Sequence, residues 1–411
     1  MNYTGFNMSS IKTANRASVL YLLNGNEKLS RKDIAEKLGL TPAAVSKICT
    51  ELISEGSISE IGSTEDSVGA GRKKIILSLN SKGIFVLALS IDKKGFYASV
   101  CTLDGEEKCG RLFLFEKDAL PEECLSFAGK KSLELLKKSG VPKEKIIGAG
   151  VGIVGGADKE KGTTAGNYGV WHPGVAVREI LEKELSMPVA IENNVKAFAL
   201  ASLIFDRKNV EDNILFVKWG PGVGSAIVIG GSVLGKTDSD SSEIGHYIAV
   251  PDGEKCRCGR SGCLETVVSA DAIAGSVKEF FSKEKTPKLF EKCDGEKENV
   301  EISKILLCAQ NDEPIENMID ERIKLLSKAV TNASAVIAPE RIIVFGYMFT
   351  TDIFERFEKE CKRLYPSFKK GYIRLSPLDE KHNFIGPAAV AAKNFFFEKK
   401  QDASKSAFLD F

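Results

Sequence analysis

Four side chains stand out first for their chemistry. His246, Cys256, Cys258 and Cys263 follow one another as H-x9-C-x-C-x4-C within 18 residues. Thiolates and an imidazole at these spacings suit a tetrahedral zinc ion, and four protein ligands leave no open coordination position for catalysis. The expectation is a structural zinc site, with Gly259 and Gly262 letting the backbone turn tightly around the ion. The plainer alternative is three buried thiols beside a hydrogen-bonded histidine. A second set lies near the start of the chain. Thr41, Ala43, Ala44, Ser46 and Lys47 form a small, polar helical face, which is what a helix needs to sit deep in a DNA major groove. Alanines there can touch thymine methyls. Arg72, Lys73 and Lys74 follow as a basic cluster able to neutralise phosphates or enter a minor groove.

The elements that must position these groups are legible from the pattern. Apolar spacing predicts a helix around residues 19–23 and a second capped by Ser30, with Asp33 in the capping-box position and Gly39 as its stop. Thr41 caps a third with Pro42 at its first position, and Val45, Ile48 and Leu52 are its buried stripe. Alternating strands at 58–61 and 74–79 complete a winged helix-turn-helix. Its 10 basic and 8 acidic residues leave only a modest positive field. A small helical interaction module is the alternative.

Beyond residue 81 the pattern becomes α/β. Strands are expected at 84–91, 96–103 and 111–115, a helix at 122–138, a strand at 146–153, a helix at 175–185, a strand at 188–192 and a helix at 195–205. The cycle restarts with strands at 214–218 and 225–229, then a helix at 315–337, a strand at 341–345, a helix at 351–365, a strand at 372–375 and a last helix from 386. Two βββαβαβα halves imply two related lobes facing a cleft. The expected domains are 1–80, a winged helix-turn-helix; 81–205, a first lobe completed by a C-terminal helix at 386–400; and 206–385, a second lobe with the zinc site.

Composition narrows the function classes. Lys and Arg total 57 against 56 acids in 411 residues, so no global field draws the chain to nucleic acid or an anionic membrane; such binding must be local. The longest apolar stretch, 146–157, is too short to span a bilayer. The first residues lack the apolar core of an export signal. A cytoplasmic protein with no membrane partner is expected, its ten cysteines mostly thiols.

Several motifs now converge. Glu243-Ile244-Gly245-His246, followed by the CRCGRSGCLE run from Cys256 to Glu265, resembles the signature of the ROK family of repressors and sugar kinases. Gly220-Pro221-Gly222-Val223-Gly224 resembles its glycine-rich phosphate turn, Glu192-Asn193-Asn194 its Glu-Asn-Asp motif, and Asn167 with Trp171 its sugar-lobe loop. The run GAGRKK at 69–74 is similar to the linker of the repressor branch, that of the xylose- and N-acetylglucosamine-type regulators. The resemblance implies an actin-like, ribonuclease-H-like sugar-kinase body with a monosaccharide in the cleft. Carried over residue by residue, Asn167, Asn193, Asn194, Glu243, His246 and Glu265 would surround the sugar. Amides and carboxylates are suited to paired hydroxyls, each of which offers a donor and an acceptor.

The sequence departs from the family's kinases in three places. Asn194 replaces the aspartate that takes the sugar hydroxyl proton, and an amide cannot hold that proton. Ser90-Ile91-Asp92-Lys93-Lys94 replaces an Asp-x-Gly-Gly-Thr turn, putting side chains where phosphate must approach backbone. Gly346-Tyr347 replaces a glycine pair against adenosine. The expectation is a sugar-responsive DNA-binding repressor of carbohydrate-utilisation genes, with no catalytic residues. Its partners are operator DNA and a monosaccharide or sugar-phosphate effector, and it is expected to act as a homodimer or homotetramer. An ATP-dependent hexose kinase carrying a DNA-binding domain is the rival; a body that binds a protein is a third reading.

Overall fold

The computed structural model describes residues 8–25, 28–64, 74–166, 169–206, 211–235, 242–378 and 383–399. In the winged unit, α1 spans Met8–Gly25, β1 Leu29–Ser30, α2 Arg31–Leu38, α3 Pro42–Ser54, β2 Ile58–Thr64 and β3 Lys74–Leu79. The capping signals act as their chemistry requires. The Ser30 hydroxyl accepts from the Asp33 N–H while the Asp33 carboxylate accepts from the Ser30 N–H at 2.9 Å, and Gly39 closes α2 at φ 63°. Thr41 accepts from the Ala44 N–H and Pro42 opens α3. Val19, Leu20, Ile34, Val45 and Leu52 are fully buried, so the three helices share one core. The strands pair antiparallel in the order β1-β3-β2. The two-residue β1 had no sequence signal.

The body repeats one pattern twice. First come β4 (Phe85–Ile91), β5 (Gly95–Thr102), β6 (Glu107–Leu114), α4 (Pro121–Ser139), β7 (Ile146–Ile153), a small hairpin of β8 (Gly156–Asp158) and β9 (Thr163–Ala165), α5 (Val177–Leu185), β10 (Val189–Asn193) and α6 (Asn194–Phe205). The second round has β11 (Ile214–Trp219), β12 (Val223–Ile229), β13 (Ser232–Val233), α7 (Glu265–Val268), α8 (Ala270–Phe280), α9 (Pro287–Lys292), α10 (Ile302–Cys308), α11 (Glu313–Ile337), β14 (Arg341–Phe345), α12 (Thr351–Leu364), β15 (Ile373–Leu375) and α13 (Ile385–Ala392). The sheets run β10-β7-β4-β5-β6 and β15-β14-β11-β12-β13, each with an antiparallel meander and two parallel additions. The helices α7 to α10 are an insertion that the halves do not share.

α6 and α13 are the spine between the sheets. Every residue of α6 from 195 to 204 is buried, and so is all of α13. A helix apolar all round can exist only with packing on every side. α13 lies so close to β7 that a Cβ on Gly150 would come within 1.9 Å of the Pro387 carbonyl oxygen. The last helix thus returns to the first sheet. It then widens into a π-turn at Lys393–Phe397.

Candidate functional site

The loop that carries the four candidate metal ligands is folded as a cage. Gly259 and Gly262 adopt φ of 91° and 72°, and a Cβ on Gly262 would fall 1.8 Å from the Val250 carbonyl oxygen. The ligand atoms of His246, Cys256, Cys258 and Cys263 all lie within 4.8 Å of one another. His246 Nδ1 is 3.6 Å from the Cys256 sulfur, and the sulfurs of Cys258 and Cys263 are also 3.6 Å apart. Tetrahedral zinc with bonds near 2.3 Å separates its sulfur ligands by about 3.8 Å, so the cage has the right size. Burial, aided by the thiols of Cys258 and Cys256, pushes Cys263 up to about 12. Burial also pushes Cys258 up, but the Arg260 N–H and the neighbouring thiols outweigh it and leave that thiol below its usual range.

Around the cage, three of the residues expected to meet a sugar, Glu243, His246 and Glu265, lie beside the β11–β12 turn. Gly245 packs so tightly that its Cβ would meet the Val223 carbonyl oxygen at 2.0 Å, which sets Glu243 and His246 beside that turn. The Ser225 hydroxyl accepts from the Ile244 N–H at 3.0 Å and donates to the Ser242 carbonyl. Glu265 accepts from the Val223 N–H at 3.0 Å. A Cβ on Gly224 would lie 2.7 Å from Val195, so the turn abuts the first turn of α6. That turn carries Asn193 and Asn194. Asn193 is occupied as a cap: its Oδ1 accepts from Val195 and Lys196, and its Nδ2 donates to the Gly155 carbonyl at 2.9 Å. The other amide hydrogen has no acceptor among the described residues. Asn194 is half-buried at the start of α6. Glu192 is buried and paired with Lys159 at 3.0 Å, a contact the sequence did not signal. Asn167 lies outside the described residues; Trp171 packs on Phe115 with ring centroids 6.3 Å apart.

Two of the three departures from the family's kinases, at 90–94 and at Tyr347, have structural counterparts, and the glycine turn adds another. Asp92 spends its carboxylate on its own hairpin, accepting from Lys94 at 2.7 Å and Gly95 at 3.0 Å, with Lys93 and Lys94 exposed. In the glycine turn, the Gly220 N–H bonds Gly222 and the Val223 N–H bonds Glu265, so neither is open to a phosphate. Tyr347 lies against that turn, 3.5 Å from where a Gly220 Cβ would be.

On the winged unit, Thr41, Ala43, Ser46 and Lys47 are exposed along α3 and Ala44 is half-buried. Lys74 is engaged by Asp33 at 3.1 Å and ties the wing to α2. Arg72 and Lys73 lie outside the described residues. No helix among the described residues is long and apolar enough to cross a membrane.

Comparison with known proteins places these features. Residues 125–394 match the ROK family and residues 14–58 a winged helix-turn-helix DNA-binding family. A glucokinase of Thermotoga maritima is 30% identical over 248 residues, 59% of this chain and 78% of the relative. The xylose repressor of Caldicellulosiruptor bescii is 24% identical over 361 residues, 85% of this chain and 88% of the relative. The crystal structure of a ROK family transcriptional regulator, a homologue of the Escherichia coli Mlc protein, superposes with a TM-score of 0.74 at 22% identity, covering 94% of this chain and 97% of that one. A winged helix-turn-helix followed by the two-lobed, actin-like body just described is a ROK architecture, and this chain belongs to the ROK family.

Proposed function

We propose that this chain is a sugar-responsive DNA-binding transcriptional regulator, a repressor of carbohydrate-utilisation genes whose kinase-like body binds its effector without phosphorylating it. The observation that carries the reading is the Glu265 carboxylate on the Val223 N–H. In a phosphoryl-transfer enzyme the glycine turn must offer its amides to a phosphate. Here a protein carboxylate holds one of them while hydroxyl-binding groups stay gathered alongside. Residues 1–80 are the DNA-binding domain, with Thr41, Ala43, Ala44, Ser46 and Lys47 toward the groove and Arg72, Lys73 and, in competition with its Asp33 partner, Lys74 toward the backbone. Residues 81–205 with 386–400, and 206–385, are the two lobes. Asn167, Asn193, Asn194, Glu243, His246 and Glu265 surround a monosaccharide or its phosphate.

Zinc is the metal we assign to the cage, on its donor set and size. Held by His246, Cys256, Cys258 and Cys263, it has a structural role: it fixes the loop between Glu243 and Glu265 so that both carboxylates face one cleft. Imidazole has two nitrogens, so with Nδ1 toward the thiols His246 keeps Nε2 for a partner outside the cage. The assembly is a cytoplasmic homodimer or homotetramer on a two-fold operator.

Effector binding shifts DNA affinity only through its different affinity for the two lobe arrangements. The test selects DNA sites from a random library with the intact protein, then titrates hexoses, pentoses, amino sugars and their phosphates into a gel shift. Release of the DNA by one of them supports the reading; indifference to all of them overturns the sensor. The kinase reading draws on the 30% identity to a glucokinase. An ADP-release assay over the same sugars separates the two.

A further inference from the structure

One cation beside Glu265 has no part in the site as read so far. Arg257 stands between the metal-cage residues Cys256 and Cys258. Its Nε and Nη2 lie 3.2 and 3.1 Å from a single oxygen of Glu265, Oε1. The other oxygen, Oε2, takes the Val223 N–H. Only one edge of the guanidinium is therefore engaged. The remaining edge, Nη1 with the second hydrogen of Nη2, has no acceptor among the described residues, and the side chain is 50% exposed against 13% for Glu265. Gly222 keeps the space open: a Cβ there would sit 2.5 Å from Glu265 Oε2 and 3.9 Å from Arg257 Nη2.

A guanidinium is planar and carries five N–H donors. Pinned along one edge, it has already lost the rotamer freedom that binding otherwise costs, so the second edge is pre-organised. Two parallel N–H donors match two oxygens of a phosphate or carboxylate, whereas a hydroxyl fills only one. Two of the three carboxylates read at the site carry a cation of their own, Glu192 with Lys159 at 3.0 Å and Glu265 with Arg257; the third, Glu243, is assigned to the sugar hydroxyls, so the anionic group belongs on the Arg257 side.

We propose that Arg257 is a specificity-determining residue of this cleft, and that the effector is a carbohydrate bearing an anionic group, bound by the free guanidinium edge. The proposal rests on the carbohydrate-sensor reading above and selects the effector class within it. The test is calorimetry on the intact protein with matched sets: hexoses and amino sugars, their 6-phosphates, their uronic acids, and inorganic phosphate alone. The expected result is one anionic sugar binding at least tenfold tighter than its neutral parent. Arg257→Ala should bring that ratio close to one, and Arg257→Lys, which keeps the charge but loses the fork, should restore only part of it. Metal content, measured on each variant, should be unchanged; if the alanine variant loses metal, the lysine variant carries the comparison. A neutral parent that binds as tightly as its anionic forms, or a ratio that survives Arg257→Ala, overturns the proposal while leaving the sensor reading intact. Inorganic phosphate binding as tightly as the sugar phosphate overturns the carbohydrate part. Silence from every sugar, neutral and anionic, overturns the sensor reading itself.

Discussion

Asn24, in the last turn of α1, donates from Nδ2 to the carbonyl of Ile204 at 2.6 Å, and so joins the winged unit to the end of α6. The other end of α6 carries Asn193 and Asn194, beside the cleft. Around this bond, Tyr21 stacks on Phe397 of the π-turn with centroids 4.6 Å apart and planes within 7°, and its hydroxyl donates to Glu398 at 3.0 Å. The buried Arg16 donates to the Phe396 carbonyl at 3.2 Å and pairs with Glu55 at 2.6 Å. A helix buried from residue 195 to 204 thus has Asn193 and Asn194 at one end and the DNA-binding unit at the other.

The Asn24→Ala and Tyr21→Ala variants should therefore keep both affinities and lose their linkage. Coupling free energies of this kind are about 1–3 kcal/mol, and a buried aromatic pair contributes about 0.5–1.5 kcal/mol. Effector affinity measured with and without DNA should differ in the parent protein and converge in the double variant. If the difference persists, the contacts are packing and the signal travels elsewhere.

Removing the metal should act at a distance from the DNA. Cys258→Ser takes away one ligand from a cage with no spare donor, so metal content falls and the Glu243–Glu265 loop loses its constraint. We expect lost effector response with DNA binding retained, checked by metal analysis beside the gel shift. Because Cys263 is held up to about 12 without metal, binding the ion must displace protons. Metal affinity should accordingly rise with pH. A variant that stays responsive while metal-free would contradict the structural role.

How much of this was legible depended on distance along the chain. The caps at Ser30, Thr41 and Gly39 and the metal cage were readable because each is a local constellation, where residue type and spacing nearly fix the geometry. The doubled order was readable from hydrophobic period for its longer elements, whereas the two-residue β13, the β8–β9 hairpin and α7 to α10 were not, being short or interrupted by polar residues. The pairing of Arg257 with Glu265, of Lys159 with Glu192, and of Asn24 with Ile204 carried no signal. Each depends on which way a polar side chain points once distant elements have packed, and period does not encode that. The pairing of Lys74 with Asp33 is of the same kind: the basic run at 72–74 points to phosphate and gives no sign of that partner.

The two lysines of the DNA-binding unit should therefore behave differently. Lys47 is exposed on α3, and Lys47→Ala should weaken DNA binding and lower the salt slope by roughly one if it meets a phosphate. Effector affinity should not move. Lys74→Ala should have a smaller effect on the slope and should slightly loosen the wing, since an exposed pair contributes about 0–1 kcal/mol. Salt titrations of the two variants side by side check this; equal slopes would mean that Lys74 leaves Asp33 for DNA.

Asp33 gives the winged unit a defined response to acid. Hydrogen bonds from the Ser30 hydroxyl and N–H, with Lys74 adding attraction, hold its carboxyl at about 2, below its ordinary 3.8. A carboxyl whose folded value is depressed binds its proton more readily when unfolded. Its contribution is whole above pH about 4 and disappears as pH falls toward 2. Thermal unfolding followed across that window should show the loss, and Asp33→Asn should flatten it while lowering stability at neutral pH by about 1 kcal/mol, the usual worth of a capping residue.

Phosphoryl transfer should stay absent even when its most visible defect is repaired. Asn194→Asp returns a side chain able to take a hydroxyl proton, a contribution of roughly 10²–10⁴-fold where the rest of the machinery is present. The rest is not: Asp92 is bound to its own hairpin, Glu265 holds the Val223 N–H, and Tyr347 covers the glycine turn. Each takes away a different requirement of phosphoryl transfer, so restoring one side chain does not restore the others. ADP release by Asn194→Asp should match the no-protein background across the sugar panel. Adding Tyr347→Gly should leave it there, because opening room for the base supplies no amide for the phosphates. Turnover above background in either variant, or in the parent chain, would mean that Glu265 yields the Val223 N–H when nucleotide arrives, and the body would then have to be read as an enzyme.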